Sequence, residues 1–346
     1  MAQINKPTDH MNTILYTGDG ASSKSITGVG FKPDLVWIKS RSNTDDHTIF
    51  NAVSGTQKYV ESNNTDAQAT ITNGLSSFDS DGFTVGTHTP INRSSGTHVA
   101  WNFKAANSSG TANTDGTVNS TVSVNSTTNF SIVTFTAPSS GTFSVGHGLG
   151  VAPTSVWLRR TDTTQNWITY WKTLGSDKWL KLNATDAEIT NANMWQDTHP
   201  TSTVFYSDTG QIGASGSYVA FCFTDTPGYL RTGQYLGNGS TDGHVEFCGL
   251  SPQFLLIKRA GSTGEWYIFD KERPGYNTIT KSMRPSTNAT ETVASGYNLD
   301  FTSTGFKLRS NSAEVNANAS SYIYMAIGKS PIVGTNNIPA TAAGEH

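Results

Sequence analysis

The chain has 346 residues and a formal net charge of -3, with 14% charged residues and 33 glycines. The weak negative charge argues against a nucleic-acid or anionic-membrane partner, because it supplies no broad basic field. The longest apolar runs are far shorter than a membrane span, and residues 1–6 have no apolar signal core.

The first strong pattern in chain order is a proline followed by an apolar run. It occurs three times, at residues 31–39, 151–159 and 250–258, as FKPDLVWIK, VAPTSVWLR and LSPQFLLIK. A second signature follows each proline, as HVAW at 98–101, YVAF at 218–221 and YMAI at 324–327. The interval from Pro33 to Val99 is 66 positions and recurs in the second copy, whereas Pro252 to Met325 spans 73. This order predicts three tandem repeats, the third with an insertion.

The pattern within the repeats is that of β-strands. Val99, Trp101 and Phe103 alternate with smaller residues and share one strand face. The continuous apolar runs at 35–38 and 254–257 predict central strands covered on both faces. We therefore predict an all-β fold of three tandem β-sandwich, jelly-roll-like repeats of about 100 residues each.

The predicted domain boundaries follow the repeats. An N-terminal arm at 1–11 precedes sandwiches at 12–105, 129–226 and 228–330, and a C-terminal tail occupies 331–346. Residues 106–128 are rich in Ser, Thr, Asn and Gly but contain alternating valines, so a linker and an extra edge strand both stay open. Each terminus is either a frayed end or an arm docked on a neighbouring subunit.

Motifs for metals, cofactors and redox chemistry are incomplete. Cys222 and Cys248 are expected to be buried reduced thiols, although a bridge between them stays open. DSDG at 79–82 resembles the start of a calcium loop without its later glutamate, and we predict a turn instead. GKS at 328–330 lacks the first glycine of a phosphate loop. We predict no cofactor and no metal.

Catalytic constellations are equally sparse, and we predict that the protein is not an enzyme. The eight histidines are scattered, and His98 aligns with Tyr218 and Tyr324, which predicts a strand-face residue. A glycan-degrading enzyme is the third functional class that we keep. Its carboxylate pair would come from Asp186, Glu188, Asp197 and Asp208.

Tryptophan is concentrated in the second copy. Most of these residues are expected to fill sandwich interiors, and the alternative is an exposed platform that stacks a sugar ring or a partner's apolar side chain. Trp171 and Trp195 lie outside the repeated signatures and are the best candidates for exposure. Trp266 and Tyr267, in the third copy, complete the candidate contact set.

Several strings carry a family resemblance. They are NKPTD at 5–9, ITGVGFKPDLVWIK at 26–39, SFDSDGF at 77–83, VGHGLGVAP at 145–153, GNGS at 237–240 and YIYMA at 322–326. Together they resemble a domain of unknown function in virion proteins of marine and cyanobacterial tailed phages. The resemblance implies a phage structural or tail-fibre-like protein, and it supplies no catalytic residues to transfer.

These observations predict a non-enzymatic protein of the virion surface, assembled in the host cytoplasm. The leading interpretation is a tail-fibre or adhesion component that contacts the host surface or its glycan, and the alternative is a capsid-decorating or cement protein that bridges shell subunits. The expected partners are other tail or capsid proteins, further copies of the chain and host-surface glycan, without nucleic acid or membrane insertion. A specific contact is expected where the repeats differ.

Overall fold

The computed structural model describes residues 3–293 and 296–329. Strands dominate this part of the chain, and each of its two α-helices has four residues. The predicted all-β class is therefore confirmed. The division into three tandem repeats, with the boundaries given above, stays a prediction. The predicted tail at 331–346 lies outside the described residues.

The first nine strands form two sheets packed face to face. They are β1 (Met11–Thr17), β2 (Lys24–Thr27), β3 (Leu35–Ser40), β4 (Thr48–Asn51), β5 (Gly55–Glu61), β6 (Ala69–Thr70), β7 (Leu75–Asp79), β8 (Gly82–Val85) and β9 (Thr97–Phe103), with α1 (Thr89–Asn92) before β9. Sheet I has the antiparallel order β1-β9-β3-β4-β5-β6, and a smaller sheet has the order β2-β8-β7. Phe83 and Val85 of the smaller sheet pack with Val36 and Ile38 of sheet I.

The next ten strands repeat this arrangement with an addition. They are β10 (Thr111–Asn113), β11 (Ser120–Asn125), β12 (Phe130–Thr136), β13 (Thr142–Gly146), β14 (Ser155–Arg160), β15 (Ile168–Trp171), β16 (Lys178–Trp179), β17 (Ile189–Thr190), β18 (Val204–Asp208) and β19 (Ser217–Phe223), with α2 (Thr209–Ile212) before β19. Sheet II has the order β10-β11-β12-β19-β14-β15, and two sheets of two strands each, β13-β18 and β16-β17, complete the region. Residues 106–128 thus contain two strands, β10 at the edge of sheet II and β11 between β10 and β12.

The last nine strands form a related arrangement, in which the large sheet has four strands instead of six. They are β20 (Leu230–Leu236), β21 (Val245–Phe247), β22 (Pro252–Arg259), β23 (Trp266–Asp270), β24 (Lys281–Ser282), β25 (Thr292–Val293), β26 (Leu299–Phe301), β27 (Gly305–Leu308) and β28 (Ser321–Gly328). Sheet III has the order β20-β28-β22-β23, and the smaller sheet has the order β21-β27-β26. In the described residues β3, β14 and β22 are all interior strands, which agrees with their continuous apolar runs.

The three large sheets each turn one face toward a single core. Trp37 of sheet I lies 6.2 Å, ring to ring, from Trp157 of sheet II, and Trp101 lies 6.0 Å from Phe254 of sheet III. Buried apolar side chains from all three sheets continue this cluster, which we call the central core. Because burial of aromatic surface is strongly favourable, the central core joins the sheets into one body.

Strand pairing corrects one sequence alignment. Trp101 lies opposite Trp37 across the β9–β3 pair, and Met325 lies opposite Leu256 across the β28–β22 pair. Met325 is therefore the counterpart of Trp101, and the alignment of 324–327 with 98–101 is wrong by two residues. The faces still agree, because side chains alternate with a period of two along a strand.

The corrected register gives His98 the counterparts Tyr218 and Tyr322. Each of these rings stacks on a partner in the neighbouring strand, so the position is an aromatic packing site. The centroid separations are 4.9 Å for Tyr16–His98, 5.2 Å for Phe135–Tyr218 and 5.0 Å for Tyr235–Tyr322.

The N-terminal segment packs on its own chain. The Ile4 amide donates a 2.9 Å hydrogen bond to the Pro227 carbonyl, and the Ile4 side chain enters the central core. A 3₁₀ helix, Pro7–Asp9, then leads into β1. Residues 3–11 therefore pack against their own chain, and docking of this segment on a neighbouring subunit stays a prediction.

Candidate functional site

The large sheets meet at three boundaries, which we call seams: between sheets I and II, between sheets II and III, and between sheets III and I. Indole N–H groups donate hydrogen bonds across two of them. Trp167 directly precedes β15 of sheet II, and its Nε1 donates a 2.8 Å hydrogen bond to the Glu61 carbonyl at the end of β5. Trp266 Nε1, in β23, donates a 2.8 Å bond to the Lys181 carbonyl that follows β16. These bonds satisfy polar groups that would otherwise be buried without partners.

A histidine closes the third seam. Trp37 Nε1 donates to His47 Nδ1 at 2.9 Å, which leaves Nε2 to carry the proton and donate to the Arg284 carbonyl at 3.1 Å. Burial holds the pKa of His47 well below its ordinary value, so the ring is neutral. His47 thus donates the ring N–H hydrogen bond across the seam between sheets III and I, whereas a tryptophan donates the corresponding bond at each of the other two seams.

Backbone hydrogen bonds at the seams have the same direction around the molecule. Each joins the amide before a short outer strand to the carbonyl after an interior strand of the next sheet. They are Gln68 N to Thr161 O at 2.9 Å, Glu188 N to Ala260 O at 2.8 Å and Glu291 N to Arg41 O at 2.9 Å. The three seams therefore run head to tail from sheet I to II, II to III and III back to I. Such heterologous contacts close into a ring.

Buried cations cross two seams and bind carbonyl oxygens. The Arg159 guanidinium donates to the carbonyls of Asn64 and Asp66, which belong to the loop after β5. Lys258 Nζ donates to the Thr185 carbonyl at 3.4 Å. Desolvation lowers the pKa of Arg159 to about 10 and that of Lys258 to about 8. Through these contacts, both side chains stabilise the packing of the sheets at the seams.

A groove lies at the seam between sheets I and II, and we call it the junction groove. Its cavity volume is about 680 Å³, within the usual range for ligand sites. The lining consists of Val53, Ser54, Lys58, Gln68, Ala112, Asn119, Ser120, Thr121, Thr134, Phe135, Thr136, Thr161, Ser217 and Tyr218. Among these residues Lys58 alone carries a charge, and most of the polar lining consists of hydroxyl and amide groups.

The added strands of sheet II build one wall of the junction groove. Thr121 of β11 lies opposite Thr134 of β12. Both are on the same face of the sheet as Ile132, whose side chain belongs to the central core. The groove hydroxyls thus continue the inner face of sheet II beyond the apolar core. The described part of sheet III has no strands that correspond to β10 and β11, so this wall distinguishes one seam from the others.

The predicted aromatic platform is not formed. Trp171 and Trp195 have exposed fractions of 0% and 1%, so the expectation that they are exposed is wrong. Trp171 enters the central core 5.9 Å from Trp266, and Trp195 packs beneath sheet II in a T-shaped contact with Tyr170 at 5.6 Å. Both are covered by chain segments distant in sequence.

The other two predicted contact residues are buried as well. Trp266 belongs to the central core and closes a seam, whereas Tyr267 points to the opposite face and packs 4.7 Å from Tyr297. The structure therefore does not bring the four predicted residues together, and none of them lines the junction groove. No groove residue was predicted as a site from the sequence.

The motif with calcium-loop character forms a turn, as predicted. The Asp81 carboxylate accepts hydrogen bonds from the amides of Gly28 and Gly30, which lower its pKa. Asp79 accepts from the hydroxyls of Ser77 and Thr84. Across the described residues, no group of His, Cys, Asp and Glu side chains has the arrangement of a metal site.

The four acids considered for glycan hydrolysis separate into two sets. Asp186 and Glu188 pair with Lys181 and Lys178, at 3.4 and 2.6 Å. The other two, Asp197 and Asp208, line one cavity of about 270 Å³. Asp208 also caps α2 by accepting the Gly210 amide, and Asp197 accepts the Ser176 hydroxyl.

Comparisons with known proteins add a family and no activity. The domain of unknown function DUF7483 matches residues 6–331. No curated protein matches the chain. Across the described residues, helices that combine the length and apolar character of a membrane span are absent.

Proposed function

The chain belongs to the DUF7483 family, and from that premise we propose that it is a non-enzymatic structural protein of a virion surface. In the leading form of the proposal it is a tail-fibre or adhesion component. The strings at 26–39 and 145–153, which resemble phage virion proteins, support the viral assignment. Its partners would be other virion proteins, further copies of itself and host-surface glycan.

The observation that carries the proposal is the closed ring of three seams around one core. Each seam is held by a side-chain N–H and a backbone hydrogen bond, so the outer loops are attached to a rigid body. A rigid body presents its loops without the entropy loss of ordering them on contact. Several weak contacts on one particle then gain strength through avidity.

A capsid-decorating protein is the second candidate, and one observation favours it. The three large sheets surround the central core with corresponding strand orders, which gives the chain an approximately threefold arrangement. Such a block matches the local threefold positions of an icosahedral shell.

Imaging of virions tests both forms. A gold-labelled antibody against the chain should mark tail or fibre tips if the protein is an adhesion component. Label distributed over the shell, with hundreds of copies per particle, would instead support decoration and contradict the fibre form. Absence of the chain from purified virions would contradict both.

The non-enzymatic part has its own test, because Asp197 and Asp208 share a cavity. Purified protein is incubated with host polysaccharide, and new reducing ends are measured. We expect none above the buffer control. Release by the wild type that is lost in both Asp197→Asn and Asp208→Asn would overturn this part of the proposal.

A further inference from the structure

The lysine of the junction groove occupies a position that carries an ion pair in the other two regions. Lys178 of β16 lies opposite Thr190, and its ammonium is 2.6 Å from the Glu188 carboxylate. Lys281 of β24 lies opposite Val293 in the same way, and its ammonium is 3.8 Å from Glu291. In both hairpins the acid stands two residues before the residue that faces the lysine.

In the first hairpin this acid is missing. Lys58 of β5 lies opposite Thr70 of β6, so the position of the acid is taken by Gln68. The neutral amide cannot balance the ammonium, and within the described chain Lys58 has no ion-pair partner. Both Lys58 and Gln68 line the junction groove. At the seam that forms the junction groove, this cation therefore lacks its carboxylate.

The groove also presents hydroxyl groups that are not used inside the protein. In the described part of the chain, the side chains of Thr121, Thr134, Thr136, Thr161 and Ser217 make no hydrogen bond. A hydroxyl both donates and accepts, which suits it to the hydroxyl groups of a sugar. These five side chains lie on the sheet II side of the seam, whereas Ser54, Lys58 and Gln68 line the groove from the sheet I side. A ligand in the groove would therefore contact both sheets.

We propose that the junction groove binds an acidic polysaccharide, with a sugar carboxylate or sulfate at Lys58 and sugar hydroxyls at the threonines. The inference rests on the adhesive role proposed above and names its ligand class. Gln68 can donate its amide N–H to the same anionic group, whereas a glutamate there would repel it. The ligand is bound mainly by polar contacts, since the Phe135 and Tyr218 rings of the lining are themselves buried.

Two other classes of ligand, nucleic acids and apolar peptides, fit the groove less well. A nucleic acid carries closely spaced phosphates, and a single lysine in a chain of net charge -3 cannot neutralise several of them. An apolar peptide would find few apolar groups in the lining. An acidic sugar chain combines spaced negative charges with many hydroxyl groups, which complements the single ammonium group and the several hydroxyl groups of the groove.

The test measures binding of the full-length purified chain to immobilised polysaccharides by biolayer interferometry. The panel contains polygalacturonate, alginate and chondroitin sulfate, with methyl-esterified polygalacturonate as the matched neutral polymer. We expect binding to at least one acidic member. For the pair of galacturonate polymers, esterification should weaken any binding about tenfold, because it removes the charge-assisted contact.

Two substitutions locate the site. Gln68→Glu restores the acid found in the other hairpins with almost no change of shape, and Lys58→Gln removes the cation. Each should weaken acidic-polymer binding about tenfold while thermal unfolding stays close to that of the wild type. Glu188→Gln makes the reverse change at the neighbouring seam and should leave binding unchanged.

The inference is overturned by the absence of binding to every acidic polymer in the panel, or by equal binding of the wild type and Gln68→Glu. Neither outcome decides the virion role, which the imaging of particles tests separately. Loss of binding in Glu188→Gln to the same extent as in Gln68→Glu would likewise contradict a site confined to the junction groove.

Discussion

The Arg41 guanidinium donates two hydrogen bonds, of 2.9 and 3.0 Å, to the Glu291 carboxylate across a sequence separation of 250 residues. This contact lies at the seam where sheet III returns to sheet I. Lys281 and Arg273 approach the same carboxylate at 3.8 and 3.7 Å, and Arg273 also pairs with the fully buried Asp270 at 2.6 Å. The ring is thus closed by charges as well as by His47.

The first prediction concerns this closing contact. Glu291→Ala leaves Arg41 and Arg273 without the shared carboxylate in a largely buried place, and should lower the free energy of unfolding by about 3 kcal/mol. Urea unfolding followed by tryptophan fluorescence measures the loss. The matched control is Asp162→Ala, which breaks the more exposed pair with Arg160 and should cost about 0–1 kcal/mol. Equal losses in the two variants would contradict a special role for the closing seam.

The second prediction concerns the indole N–H groups. Trp266→Phe removes the donor to the Lys181 carbonyl, while Trp195→Phe removes an indole N–H that has no hydrogen-bond partner among the described residues. Both rings are buried, so both variants lose similar apolar contact. We expect Trp266→Phe to be less stable than Trp195→Phe by about 1–2 kcal/mol in urea unfolding. The seam bond would be unimportant if the two variants unfolded at the same urea concentration.

The third prediction is a dependence of stability on acid pH. Burial lowers the pKa of His98 to about 4, from an ordinary value of 6.5. The unfolded chain binds a proton near pH 6.5 that the folded chain binds only near pH 4. Stability that is present above pH 6.5 is therefore lost as the pH falls toward 4, by about 3 kcal/mol from this group.

Replacement of His98 isolates this effect. Tyr218 and Tyr322 occupy the equivalent stacked positions, so His98→Tyr should keep the packing and remove the titrating group. We expect the variant to lose less stability than the wild type between pH 7 and pH 4.5. Asp34 and Glu61, whose pKa values burial raises, act in the opposite direction in both proteins and cancel in the comparison. An unchanged acid loss in the variant would refute the assignment.

The fourth prediction concerns the cysteines. Cys222 and Cys248 are both free and buried, and burial raises the pKa of each thiol to about 12. Because the thiolate is the reactive form, native protein should react with iodoacetamide far more slowly than protein in urea. Mass spectrometry of the labelled chain measures this. Rapid labelling of either thiol in the native protein would contradict its burial.

The amino-acid sequence by itself determined the local features of the fold. Alternating and continuous apolar runs indicated strands, and the runs at 35–38 and 254–257 do form interior strands of their sheets. The DSDG turn and the buried free thiols were also predictable. These features depend on side-chain alternation and on backbone preferences of neighbouring residues, which a sequence displays directly.

Only the tertiary structure decided which surface covers each strand face. Trp171 and Trp195 have no local signal that separates exposure from burial, because the residues that cover them come from distant segments. Lys58 and Lys178 occupy equivalent positions in two strand pairs, and both this equivalence and the significance of Gln68 follow from the pairing of β5 with β6. The groove itself forms where the two added strands of sheet II and residues of sheet I line the same cavity. Such contacts join residues far apart in the chain, and the period of a single strand carries no information about them.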